Sequence, residues 1–156
     1  MSNLVQLRLP EDRAQQLRNL ATAKGTSLSG AVGALMKLLY EHTETEHNIP
    51  SVEVNVLADG LAIRFPNSPT TGFSFDAAAK IADAVREYLD GQHAGEKNAH
   101  LTDPDTHANS FAIWRRGNSI KIAIPMNAPE KNFTHDLAEE FADLLDNAVA
   151  RSTVAH

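Results

Sequence analysis

The chain has 156 residues, a formal net charge of −6 and no cysteine. That length allows one domain or two small ones. The lack of cysteine excludes disulfides and thiolate metal sites. No apolar run approaches the roughly 20 residues of a membrane span, and Arg8 and Pro10 interrupt any signal-peptide pattern, so the expectation is a soluble cytoplasmic protein. An acidic total argues against a nucleic-acid binder, but the charge is unevenly spread. Residues 1–40 hold five basic residues (Arg8, Arg13, Arg18, Lys24, Lys37) against Glu11 and Asp12, a net of +3; the remainder carries −9. Local charge decides phosphate attraction, and the acidic remainder repels non-specific DNA.

The first stretch, LVQLRL, alternates Val5, Leu7 and Leu9 with Leu4, Gln6 and Arg8. That period of two predicts a half-buried β-strand. Pro10 ends it. Glu11 and Asp12 open a helix, where acidic side chains suit the positive end of the helix dipole. This helix is expected to run to about Lys24, with Ala14, Leu17, Leu20 and Ala21 on its apolar face, and Gly25 stops it. Thr26 and Ser27 start a second helix carrying Leu28, Val32, Leu35, Met36 and Leu39. A unit of about 40 residues cannot bury so much apolar surface by itself. It needs a second copy, which predicts a homodimer.

Strand, helix, tight turn and helix, carried by VQLRLPED and then KGTSLSGAV, resemble the ribbon-helix-helix (MetJ/Arc) superfamily of DNA-binding proteins. The resemblance covers about the first quarter of the chain. It implies that two chains pair their strands into an antiparallel ribbon lying in the major groove of double-stranded DNA. By position, Gln6 and Arg8 match the family's base-reading residues. Leu4 matches the third such position, where a polar residue is commoner. Ser27, flanked by Thr26 and Leu28, matches the residue opening the second helix, whose backbone N–H groups hold a phosphate in that family.

Residues 41–50, EHTETEHNIP, read as a helix end and an acidic linker closed by Pro50. His42 and His47 lie beside Glu41, Glu44 and Glu46; a solvated linker explains them more simply than a pH sensor or metal site.

The rest of the chain is duplicated. In VEVNVLADGLAIRFP (52–66) and FAIWRRGNSIKIAIP (111–125), Val52, Val54, Leu61, Ile63, Phe65 and Pro66 fall on Phe111, Ile113, Ile120, Ile122, Ile124 and Pro125. One residue of insertion later, Phe73, Asp76, Ala78, Ile81, Ala82 and Asp83 fall on Phe133, Asp136, Ala138, Phe141, Ala142 and Asp143. Each copy reads as a hairpin followed by a helix, with turns at Ala58-Asp59-Gly60 and Arg116-Gly117-Asn118. Ser74 and Thr134 are the expected N-caps. One hairpin and one helix cannot close a core. The fold expected is therefore α+β: a ribbon-helix-helix over residues 1–45, then a pseudo-symmetric ββα-ββα two-layer sandwich over 51–150, with four strands in one sheet and both helices on one face.

Between the copies, residues 90–110 read as a long polar loop. Its His93, His100 and His107, with Asp103 and Asp105, invite a divalent-metal reading; a solvated loop is simpler, and no metal or cofactor is expected. Alternation turns Glu53, Asn55, Leu57, Arg64, Trp114, Arg116 and Lys121 away from the helices. For the single tryptophan two readings stand. It is covered by the stems of Arg and Lys, or Trp114, Arg116, Arg64 and Lys121 form a partner surface, since Trp and Arg are enriched at interface hot spots. No GxSxG, HExxH, phosphate-binding glycine loop or dinucleotide fingerprint is present, and no enzyme is expected. The function that follows is a sequence-specific DNA-binding regulator: a transcriptional repressor, plasmid-transfer accessory factor or antitoxin. The alternative is a protein-interaction module whose N-terminal unit serves only to dimerise it.

Overall fold

The computed structural model describes residues 4–43, 48–91, 97–101, 109–117 and 119–154. The fold is α+β, and the chain divides into two compact units, 1–47 and 48–156.

The described residues of the first unit form two helices. Helix α1 (Glu11–Lys24) starts after Pro10 and has Glu11 and Asp12 in its first turn. It ends at Gly25, whose left-handed conformation (φ 69°) lets the Gly25 and Thr26 N–H groups bond the last carbonyls of α1. Two residues later α2 (Leu28–Glu41) begins, capped by the Ser27 hydroxyl, which accepts from the Gly30 N–H at 3.0 Å. The predicted strand is not formed: residues 4–10 have no regular secondary structure. A strand needs a neighbour to take its backbone hydrogen bonds, and a single chain of this unit has no other strand to offer among its described residues.

The second unit begins with a turn in which Ile49 and Val52 are buried. The first copy follows as β1 (Glu53–Val56), β2 (Gly60–Arg64), β3 (Thr71–Ser74) and α3 (Phe75–Leu89). The second is β4 (Lys97–Leu101), β5 (Ser110–Arg116), β6 (Ser119–Ala123), β7 (Lys131–Thr134) and α4 (His135–Val154). All pairings are antiparallel, in two sheets ordered β1-β2-β3 and β4-β5-β6-β7. The expected single four-stranded sheet is therefore corrected to two sheets of three and four strands.

Two kinds of strand escaped the sequence. TGFS and KNFT are four residues each, show one core residue apiece (Phe73, Phe133), and run straight into a helix, so they resemble a cap more than a strand. The expected loop at 90–110 contains β4, which pairs along β5 from Lys97↔Trp114 to Leu101↔Ser110. KNAHL has too little apolar alternation to announce itself; pairing with β5 makes it a strand.

Ser74 caps α3 as expected, accepting from the Ala77 N–H at 3.1 Å. At the matching position Thr134 instead donates its hydroxyl to the Asp136 carboxylate at 2.7 Å. Helices α3 and α4 pack on each other, and each also reaches the other copy's strands: α3 touches β5, and α4 touches β1 and β2. One core results. It contains Leu61, Ile63, Ile81 and Val85 from the first copy and Ile120, Ile122, Phe141 and Leu145 from the second. Phe65, next after β2, lies 5.8 Å from Phe133 and 5.6 Å from Phe141 between ring centres, which joins the copies directly.

Candidate functional site

The first unit exposes what a folded unit normally hides. Of its described residues only Ala21 and Ala31 are buried. Leu4, Val5 and Leu7 are 91, 81 and 82% exposed, and Leu9, Leu20, Leu28, Val32, Leu35, Met36, Leu38 and Leu39 are exposed as well. Both the strand-patterned segment and the apolar stripe of α2 thus lack cover in one chain.

Gln6 and Arg8 are exposed, as is Leu4, in the segment before α1. At the start of α2, Ser27 and Leu28 are exposed and Thr26 is half-buried. The Ser27 hydroxyl occupies the Gly30 N–H. Gly30 was not singled out by the sequence. A Cβ on it would lie 2.0 Å from the Thr26 hydroxyl oxygen, so glycine here lets Thr26 fold over the first turn of α2. A glycine three residues past a Ser cap, inside a helix that should resist it, was the available signal. Around α1 the polar groups bond along the helix, Arg13 to Gln16 and Arg18 to Gln15.

In the second unit, Trp114 faces Lys121 across β5 and β6, and Lys121 faces Asn132 across β6 and β7. Trp114 is half-buried and Arg116, two residues along the same strand, is exposed. Lys121 is not a free cation: it pairs with Glu130 at 2.6 Å and its side chain is 14% exposed. Arg64 belongs to the other sheet, where it pairs with Glu53 at 2.6 Å. The four residues expected to form one partner surface therefore fall into Trp114, Lys121 and Arg116 on one sheet and Arg64 on the other.

Asp143, flagged by its repeat relation to Asp83, bonds Arg86 at 3.0 Å; Asp146 bonds the same guanidinium at 2.6 Å. Asp83 is exposed. Burial works against the Arg86 charge, but the hydrogen bonds it donates to Asp146 and Asp143, with their negative charges, outweigh it and hold its pKa above the ordinary value. Arg86 and Asp146 occupy the same position in the two copies, which the repeat alignment, extended three residues, would have revealed. Lys131 has its ammonium 5.2 Å from the centre of the Phe133 ring, and burial lowers its pKa.

His42 is exposed. His47, Glu44, Glu46, His93, Asp103, Asp105 and His107 lie outside the described residues, as does the side chain of His100. Among the described residues no group of three or more His, Asp or Glu is placed to hold a metal ion, and no helix is long and apolar enough to cross a membrane. No protein-family model, curated protein or solved structure matches the chain.

Proposed function

We propose that the chain is a sequence-specific regulator binding double-stranded DNA, read by a ribbon-helix-helix formed from two copies of residues 1–45. The observation that carries this is the exposed apolar face of the first unit together with its unpaired, strand-patterned segment. A second copy accounts for both at once. Residues 4–9 pair with the same residues of the partner, and Leu17, Leu20, Val32, Leu35 and Leu39 of two chains share a core. Pairing that buries Val5, Leu7 and Leu9 turns Leu4, Gln6 and Arg8 outward, twice per dimer. Arg makes paired hydrogen bonds to guanine and Gln to adenine in the major groove. The Ser27-capped start of α2, with Thr26 and Leu28 beside it, presents backbone N–H groups to a phosphate, which positions the protein without reading sequence. The +3 charge of residues 1–40 doubles in the dimer and serves the same contact. Such a reader suits a repressor or a plasmid-type accessory factor. The C-terminal unit then assembles the reader further or takes a protein partner, for which Trp114 and Arg116 are the candidate contacts.

The test is a binding-site selection with the full chain, Arg8→Ala and Gln6→Ala. Arg8→Ala should cost roughly 1–3 kcal/mol per contact and relax the preference at one base pair of each half-site. A bulky or acidic change at Ser27 should weaken all sequences alike. Recovery of one site with equal affinity by all three proteins would refute the reading. Affinity must also fall steeply between two salt concentrations, as phosphate contacts require.

A further inference from the structure

The duplication of the second unit is incomplete at one edge. Strands β1 and β5 are the same element of the two copies, with Val54 matching Ile113. On the outer edge of β5 lies β4, with Asn98 opposite Ile113. The matching edge of β1 has no strand beside it among the described residues. Burial follows: Ala112, Ile113, Trp114 and Arg115 are buried or half-buried, whereas Glu53, Asn55 and Val56 are exposed and Val54 is half-buried.

The hydrogen-bond pattern fixes which groups this edge presents. The Leu57 N–H donates to the Gly60 carbonyl at 2.8 Å, and the register continues with Asn55↔Ala62 and Glu53↔Arg64. In an antiparallel ladder bonded pairs alternate with non-bonded ones. Residues 53, 55 and 57 therefore bond β2, and the N–H and C=O groups of Val54 and Val56 point to the open edge.

We infer that a second copy of this chain fills that edge, β1 against β1, antiparallel and centred on Asn55. The strand is self-complementary in this register. Val54 meets Val56 of the other copy and Val56 meets Val54, so both outward pairs of backbone groups are satisfied and the exposed Val56 gains an apolar neighbour. Leu57, also exposed, lies opposite Glu53 of the other copy, within reach of its aliphatic stem. The two three-stranded sheets become one of six. This inference rests on the N-terminal unit being dimeric: a four-residue edge is too small to hold two free molecules together, but a dimer joined through residues 1–45 places two second units on short tethers, at an effective concentration of order millimolar.

A chain without cysteine makes the test direct. Asn55 would face its own counterpart as a non-hydrogen-bonded pair, where side chains come closest. In the full-length Asn55→Cys protein mild oxidation should give a disulfide-linked dimer at a rate on the order of tenfold or more above Gly72→Cys, which lies in the same cross-strand row on β3. Val56→Lys added to Asn55→Cys should abolish that excess, because an edge lysine blocks strand pairing. In the unsubstituted chain the Val54 and Val56 amides should exchange slowly with deuterium. Equal cross-linking at residues 55 and 72, or fast exchange at Val54 and Val56, overturns the inference. Slow exchange without the cross-link also overturns it, since another segment then fills the edge. Sedimentation separates the two readings: a dimer that fails to cross-link refutes the edge pairing only, whereas a monomer refutes both.

Discussion

Phe141→Ala tests whether the two copies of the second unit fold together. Phe141 is fully buried in α4, stacked on Phe133 at 5.3 Å and edge-on to Phe65 of the other copy at 5.6 Å. Truncating a buried phenylalanine costs about 3–5 kcal/mol, and two lost ring pairs place this site in the upper half of that range. Domains of this size are stable by only about 5–15 kcal/mol, so the variant should lose roughly a quarter or more of its margin. At about 4 °C per kcal/mol, Tm should fall by roughly 16–20 °C. The informative assay is native-state hydrogen exchange resolved by segment. If the core is shared, protection in β2 and α3 must fall as far as protection in β6 and α4, although the substitution lies in the second copy. Loss of protection confined to residues 109–154, with 53–89 unchanged, would refute the single core.

Gly60→Ala should destabilise by about 2 kcal/mol or more, because its Cβ would sit 2.0 Å from the Phe73 carbonyl oxygen, a backbone atom that cannot turn aside; an unchanged denaturation midpoint contradicts the close approach of β2 and β3. An Arg86→Ala, Asp146→Ala double-mutant cycle should give a coupling of about 0.5–1 kcal/mol that shrinks in salt, since the side chains are 36 and 45% exposed; zero coupling at low salt means that the pair only decorates the α3–α4 contact. Leu35→Asp would put an unpaired charge into the proposed shared core of the first unit and should turn the chain monomeric in sedimentation; an unchanged dimer removes α2 from that interface.

Periodic burial was what the sequence displayed best. The limits of α1 and α2 were legible because Pro10, Gly25 and Ser27 punctuate them chemically, and the core of the second unit was legible because the apolar positions matched between 52–66 and 111–125 join one cluster. The missed strands have little of this signal. Strands β3 and β7 bury one large residue each before a helix begins, and β4 owes its existence to a distant partner strand. Residues 4–9 fail in the opposite sense: their alternation is strong, yet one chain pairs them with no strand among its described residues. The candidate surface was legible only where register decides it. Alternation put Trp114 and Lys121 on one face, but only the strand register shows that they lie opposite each other, that Arg64 belongs to a different sheet and that Glu130 pairs with Lys121.

The near-absence of buried side chains in the first unit has a consequence for the lifetime of the chain. With only Ala21 and Ala31 buried among its described residues, two short helices have little to oppose fraying, and helices of 14 residues are marginal in water. Whatever covers their leucines also holds them folded, so their stability rises with the concentration of the covering molecule. A newly made chain without that cover offers proteases an open N-terminal segment attached to a closed C-terminal unit. Turnover of the intact protein then depends on how quickly each chain finds its cover, and abundance feeds back on survival without any dedicated degradation signal.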